Sequence, residues 1–194
     1  LHPMIKVIAE FEDDVQSGKE NVHSFQVTEF FPKYILGEAA SGIRFLKMAT
    51  IDDNDIQKKI ELNWRKMSIY HATFSMGKGK LYKIPYTDKF IKFFFIEGSE
   101  KEILISAYIN LCKLLFSGGA KEIYLLGNKI KNTRKENYED VIRSSFKKIN
   151  DFKFSSVHIL GGITSGENEN AITDTFGQLK GQKNIFVNDS SLIN

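Results

Sequence analysis

The stretch Ser156–Asn194 reads SVHILGGITSGENENAITDTFGQLKGQKNIFVNDSSLIN, and its order is the most specific feature of the chain. A strand-like Ser155-Ser156-Val157 leads into His158, followed by a turn rich in glycine at Gly161, Gly162 and Gly166. Asp174, the pair Phe176-Gly177 and Gly181 come next. An apolar segment, Asn184-Ile185-Phe186-Val187, reads as a strand and ends in Asn188-Asp189-Ser190-Ser191. Glycines between apolar segments mark turns that other residues adopt at a cost. A histidine at a strand end before such a turn can face a cleft. On the residues alone, His158 is either a general base or a histidine hydrogen-bonded within a loop. Asp189 and Ser190 are either ligand contacts or the cap of a helix.

Outward from this stretch, the chain alternates strands and helices without a strict β-α-β order. Met4–Phe11 reads as a strand, followed by a polar turn at Glu12–Asp14 and Ser17–Lys19. Phe25–Phe30 alternates at period two and is closed by Pro32. Residues 37–42 read as a flexible connector whose small residues could also admit a ligand to the backbone. Ile43–Ala49 reads as a strand. Asp52-Asp53 can cap a helix that carries Ile56, Ile60, Trp64 and Met67 at helical spacing. Gly77-Lys78-Gly79 reads as a hairpin between Ile69–Met76 and Lys80–Ile84. It lacks the spacing and the following helix of a phosphate loop. Phe90–Ile96, with three successive phenylalanines, reads as a central strand. Ser99 and Glu102 fit a capping box for a helix to Ser117, with Leu104, Ala107, Leu111, Leu114 and Leu115 on its buried stripe and Gly118-Gly119 as its stop. A short strand at Ile123–Leu126, a polar loop at 128–137 and a last helix through Tyr138, Val141, Ile142, Phe146 and Ile149 complete the order. The pattern predicts an α+β fold, a large and mostly antiparallel sheet with helices packed on one face.

Composition narrows the function classes. The 194 residues suit one domain or slightly more, and 42% hydrophobic content suits a globular core. No apolar run approaches the roughly 20 residues that span a bilayer, and no leader is visible, so a cytoplasmic location is expected. One cysteine, Cys112, excludes an internal disulfide. A net charge of +3, spread over 23 lysines and four arginines among acidic residues, does not suggest nucleic-acid binding. No His/Cys/Asp/Glu spacing suggests a metal site, and no G-x-S-x-G elbow suggests a serine hydrolase.

The C-terminal stretch resembles the C-terminal signature of the glucose–methanol–choline (GMC) flavoprotein oxidoreductases. The matching positions are His158, Gly161, Gly166, Asp174, Gly177, Gly181, Asn184, Ile185, Val187, Asp189 and Ser191. Earlier, Leu1–Val7 looks like the family's His-Pro entry to its substrate domain, Gly77–Lys80 like its central hairpin, and Gly118–Ile123 like its helix-to-strand corner. The resemblance implies a substrate-binding domain over 1–165 and a segment over 166–194 that returns to an FAD-binding domain. It implies an FAD-dependent oxidation of an alcohol or sugar hydroxyl, with His158 as general base and Asn188, Asp189 and Ser190 near the flavin nucleotide. The family's G-x-G-x-x-G strand-turn-helix is not in this sequence. Its second catalytic His or Asn would follow Asn194, so the piece alone is expected to be inactive, its FAD held mostly by other segments. The chain departs from the family at Gly162, Thr164 and Ser165, where a threonine and an Arg-Met pair are usual. These departures keep open the alternative of a non-catalytic binding or interaction module.

Overall fold

The computed structural model describes residues 2–15, 19, 25–156 and 161–192. The chain divides into two compact units, one of Pro3–Ser155 and the other of Leu1–His2 with Ser156–Asn194.

The larger unit is organised on β1 (Pro3–Phe11), which carries Ile5, Val7, Ala9 and Phe11 on one side and Met4 and Ile8, beside Lys6 and Glu10, on the other. Side chains alternate across a strand. Ile5, Val7 and Ala9 therefore enter one buried cluster while Ile8 enters another. A strand covered on both faces reads as a nearly continuous apolar run, and β1 is that strand. It lies between β4 (Met67–Phe74) and β7 (Ala120–Leu125), antiparallel to both. β2 (Gln26–Val27) and β3 (Tyr34–Ala39) extend the sheet beyond β4, and β8 (Lys131–Thr133) extends it beyond β7. The order is β2-β3-β4-β1-β7-β8, with the two-residue strand β9 (Ser155–Ser156) also pairing β1. β5 (Lys78–Lys83) and β6 (Phe90–Phe95) form a separate two-stranded sheet.

Among the described residues four helices accompany this sheet, and the α+β class expected from the sequence is the one observed. α3 (Lys101–Ser117) buries Leu104, Ala107, Tyr108, Leu111, Cys112 and Leu115 with Ile5, Val7 and Ala9. Asn110 and Ser106 of α3 reach the Tyr34 hydroxyl at 2.7 and 3.3 Å, tying helix to sheet. α4 (Tyr138–Ser145) adds Ile142 to the same cluster. The opposite face is covered by α1 (Ile43–Ala49) and α2 (Asn54–Asn63), through Leu46, Ile56 and Ile60 packed with Ile8, Met67 and Ile69. Helices thus cover both faces and not the one face expected, the second layer coming from α2 and from α1, whose sequence reads as a strand.

That segment, Ile43–Ala49, is a correction. Ile43, Leu46 and Ala49 share a helix face at a spacing of three and pack on the sheet, while Phe45 and Met48 are exposed. Its C-terminal carbonyls are satisfied: Thr50 Oγ1 donates to the Leu46 carbonyl at 2.9 Å and Gln57 Nε2 to that of Lys47 at 2.7 Å. Such a short run fits either period, and tertiary packing chose the helix. α2 begins as expected, with the Asp53 carboxylate accepting from the amides of Asp55 and Ile56. It ends at Asn63, so Trp64 falls in a 3-10 turn and Met67 opens β4.

Further expectations change: the last helix ends at Ser145, and Ile149 lies in a separate 3-10 turn. Gly77-Lys78-Gly79 does not close a hairpin between its flanks, since β4 pairs with β1 and β3 while β5 pairs with β6. Phe90–Phe95 belongs to the small sheet and is not central, because aromatic content says nothing about which distant strands supply partners. Residues 37–39 belong to β3 and not to a connector, and 131–133 of the expected polar loop form β8. The capping box lies two residues earlier, on the 3-10 turn Gly98–Glu100 that leads into α3, where the Glu100 carboxylate accepts from the Glu97 amide at 2.9 Å. Leu114 of the expected stripe is 46% exposed.

Candidate functional site

Among its described residues the C-terminal unit contains almost no regular structure, and their backbone polar groups are satisfied by turns. Asp174 organises the first. Its Oδ1 accepts from the amides of Phe176 and Gln178 at 2.9 and 2.8 Å, and its own amide donates to the Gln178 carbonyl at 2.9 Å. Short acidic side chains favour such local turns because they satisfy amides that no ladder reaches. Gln178 then holds the next loop, its Nε2 donating to the carbonyls of Lys183 at 2.6 Å and Gln182 at 3.2 Å. The segment 184–187 is not a strand. A single bridge joins Gln178 to Phe186, and Ile185 and Phe186 are exposed. An apolar run with one partner residue has no ladder to extend.

Gly177 is where the unit closes. Its φ is +81°, and a Cβ there would stand 2.7 Å from the Val187 carbonyl oxygen and 3.4 Å from Leu192 Cδ1. The Val187 amide donates back to the Gly177 carbonyl at 2.9 Å. Glycine therefore supplies both the left-handed backbone and the close approach.

A second closure joins the two ends of the signature. The amides of Gly162 and Ile163 both donate to the Ser191 carbonyl, each at 3.0 Å. A Cβ on Gly162 would lie 3.6 Å from Ser191 Cβ. The Thr164 carbonyl in turn accepts from Ile172 and Thr173, and the Gly166 amide donates to Thr173. Thr173 is fully buried, and its hydroxyl has no partner among the described residues. The glycine turn after His158 thus sits against the Asn188–Ser191 turn, although some thirty residues separate them in sequence. His158 itself lies outside the described residues.

Asp189 has a definite local role. Its Oδ1 accepts from the Ser191 amide at 2.7 Å and from the Ser191 hydroxyl, capping the single 3-10 turn Ser190–Leu192. The Ser191 hydroxyl and amide hold the carboxyl below its ordinary range, so it is ionised near neutrality. Asn188, Asp189 and Ser190 are all exposed. A fixed, ionised acceptor suits a ligand's hydroxyls, and its charge opposes a phosphate.

The remaining polar residues hold structure. His71 is buried on β4 opposite Gly37 of β3. A Cβ on Gly37 would lie 3.1 Å from the imidazole Cε1, so the small residue makes room for a histidine and not for a ligand. The His2 carbonyl accepts from Ser156 Oγ at 3.1 Å. On the α2 side of the sheet, the Tyr124 hydroxyl lies 2.8 Å from Glu10 Oε2 and also bonds Glu122. Glu122 accepts further from Asn132 at 2.9 Å and Lys59 at 3.3 Å. Burial pushes the Glu122 carboxyl up, but the bonds from Tyr124, Asn132 and Lys59 outweigh it and leave it lowered. Burial, with both glutamates nearby, pushes the Tyr124 hydroxyl up. Among the described residues no group of three or more His, Cys, Asp and Glu side chains could hold a metal ion, and no helix is long and apolar enough to cross a membrane.

The pairing of Gly162 and Ile163 with the Ser191 carbonyl has no signal in the sequence, because main-chain groups make it. No family model matches the chain. The chain is 20% identical, over 195 residues, to an uncharacterised GMC-type oxidoreductase of Sinorhizobium fredii. The match covers 100% of this chain and 39% of that protein, so the chain spans well under half of its relative's length. Across its whole length, this chain is distantly similar to a GMC-type oxidoreductase.

Proposed function

We propose that this chain is the substrate-binding region of an FAD-dependent oxidoreductase that oxidises an alcohol or sugar hydroxyl, with the FAD held mainly by other parts of a longer protein. The observation that carries the reading is the double hydrogen bond from Gly162 and Ile163 to the Ser191 carbonyl. It joins two turns of the signature that lie some thirty residues apart in the sequence. The distant similarity to a GMC-type oxidoreductase over the full chain supports the same class.

FAD, when bound, accepts a hydride from the carbinol carbon. The proposed division of labour among this chain's residues is simple. His158, in its neutral form, takes the hydroxyl proton on a ring nitrogen. The glycine turn after it fixes the approach of the backbone. Asp189 would accept from cofactor hydroxyls, flanked by Asn188 and Ser190. The boundaries 1–165 for substrate binding and 166–194 for the return to the FAD domain belong to this proposal. So does the inactivity of the piece alone, which lacks a dinucleotide fingerprint.

The test is the absorbance spectrum of the full-length protein beside a His158→Ala variant. Flavin bands that an alcohol or sugar bleaches in the first and not in the second support both the class and the base. Bleaching in both retains the oxidoreductase and dismisses His158. A folded full-length protein without flavin sinks the reading and leaves a binding module.

A further inference from the structure

The β5–β6 ribbon is unlike the rest of the molecule. Between Lys78 and Phe95 it holds five lysines (Lys78, Lys80, Lys83, Lys89 and Lys92) and one acidic residue, Asp88. That excess of four positive charges exceeds the net +3 of the whole chain. The same eighteen positions hold six aromatic residues and no arginine.

The register sorts these residues by face. Lys78 pairs with Phe95 and Tyr82 with Ile91, so these positions and Lys80 share one side of the ribbon. On that side Tyr82 is 51% exposed, Ile91 46% and Phe95 59%, and Lys78 and Lys80 are also exposed. At the tip, the Ile84 amide donates to the Lys89 carbonyl at 2.9 Å, and Tyr86 is fully exposed with a φ of +62°. A lone two-stranded ribbon is marginal in water. An exposed face that mixes apolar side chains with lysines on such a ribbon marks an interaction surface.

We propose that this face of the β5–β6 ribbon docks on an anionic lipid surface. The charge is complementary to acidic headgroups, and each lysine near such a surface adds to the attraction. Lysine stems can lie along the apolar face while their ammonium groups stay at headgroup level. Tyrosine, with an apolar ring and a polar tip, suits the same depth. Nucleic acid fits less well, because bidentate arginine contacts are absent from the ribbon.

The experiment is co-sedimentation of the 194-residue chain with vesicles of phosphatidylcholine and phosphatidylserine, against phosphatidylcholine alone. Binding is expected only with the acidic lipid, and is expected to weaken with added salt. The double variant Lys78→Gln/Lys80→Gln is expected to lower partitioning roughly 25-fold, at about fivefold per lysine. Phe95→Ser is expected to lower it too. A control of equal charge, Lys129→Gln/Lys131→Gln, lies outside the ribbon and is expected to leave binding near that of the parent. All these positions are exposed, and far-UV circular dichroism checks that the fold persists. Absence of binding at low salt overturns the proposal. So does equal weakening in the control pair, or a single-stranded oligonucleotide that strips the chain from the vesicles.

Discussion

Gly177→Ala tests the closure of the C-terminal unit, and Gly181→Ala supplies its internal reference. The two glycines have nearly the same backbone, φ +81° and +80°. An L-residue in that conformation costs about 1–2 kcal/mol. At Gly181 nothing lies within 4 Å of an added Cβ, so this strain is the whole effect. At Gly177 the Cβ meets the Val187 carbonyl oxygen at 2.7 Å, and that oxygen belongs to the main chain. Overpacking adds about 1–3 kcal/mol, so Gly177→Ala should cost about 2–5 kcal/mol in all. The readout is exchange of the Val187 amide hydrogen, which donates to Gly177 across the closure. Where reclosing outruns exchange, its rate follows the opening free energy. Gly181→Ala should speed it roughly 5- to 30-fold, and Gly177→Ala roughly 30-fold to several thousandfold. Equal acceleration in the two variants would refute the close approach at Gly177. No acceleration in either would refute the closure itself.

Three further outcomes are expected. The Glu122 carboxyl is lowered in the folded state, so it adds stability above its unfolded value, near 4.5. That contribution is lost as pH falls through the lower folded value. Glu122→Gln should therefore flatten the acid side of a stability profile measured by urea unfolding, and an unchanged acid limb would count against the network with Tyr124, Asn132 and Lys59. Asp53→Ala removes the acceptor for the Asp55 and Ile56 amides and should cost about 1 kcal/mol in the same assay. A loss indistinguishable from zero would mean that water caps α2 as well. Cys112 is buried and its thiol is pushed up to about 12. It should resist a thiol reagent in the native protein and react only as the chain unfolds, whereas rapid labelling at neutral pH would show that α3 opens readily.

Parts of this architecture were legible from local chemistry. The Asp53 cap, the span of α3 and the glycine stop after Ser117 depend on residues within a few positions of one another, and sequence displays those directly. So did the α+β class, which follows from counting strands and helices. The helix at Ile43–Ala49 was not legible. Seven residues carry either periodicity, and the choice rests on Ile8, Met67 and Ile69 lying beneath Leu46. Likewise Phe90–Phe95 has a more strand-like composition than β1, yet β1 is central because β4 and β7 bring it partners from sixty and more than a hundred residues away.

The C-terminal unit divides the same way. Its glycines and its Asp174 turn could be read from the sequence, because φ above zero and short acidic side chains have local signatures. The sequence by itself also supplied the residue order that resembles a flavoprotein signature. Only the tertiary structure decided that Gly162 and Ile163 meet the Ser191 carbonyl. Contacts between distant backbone groups leave no mark on side-chain identity. The folded chain is what brings them together.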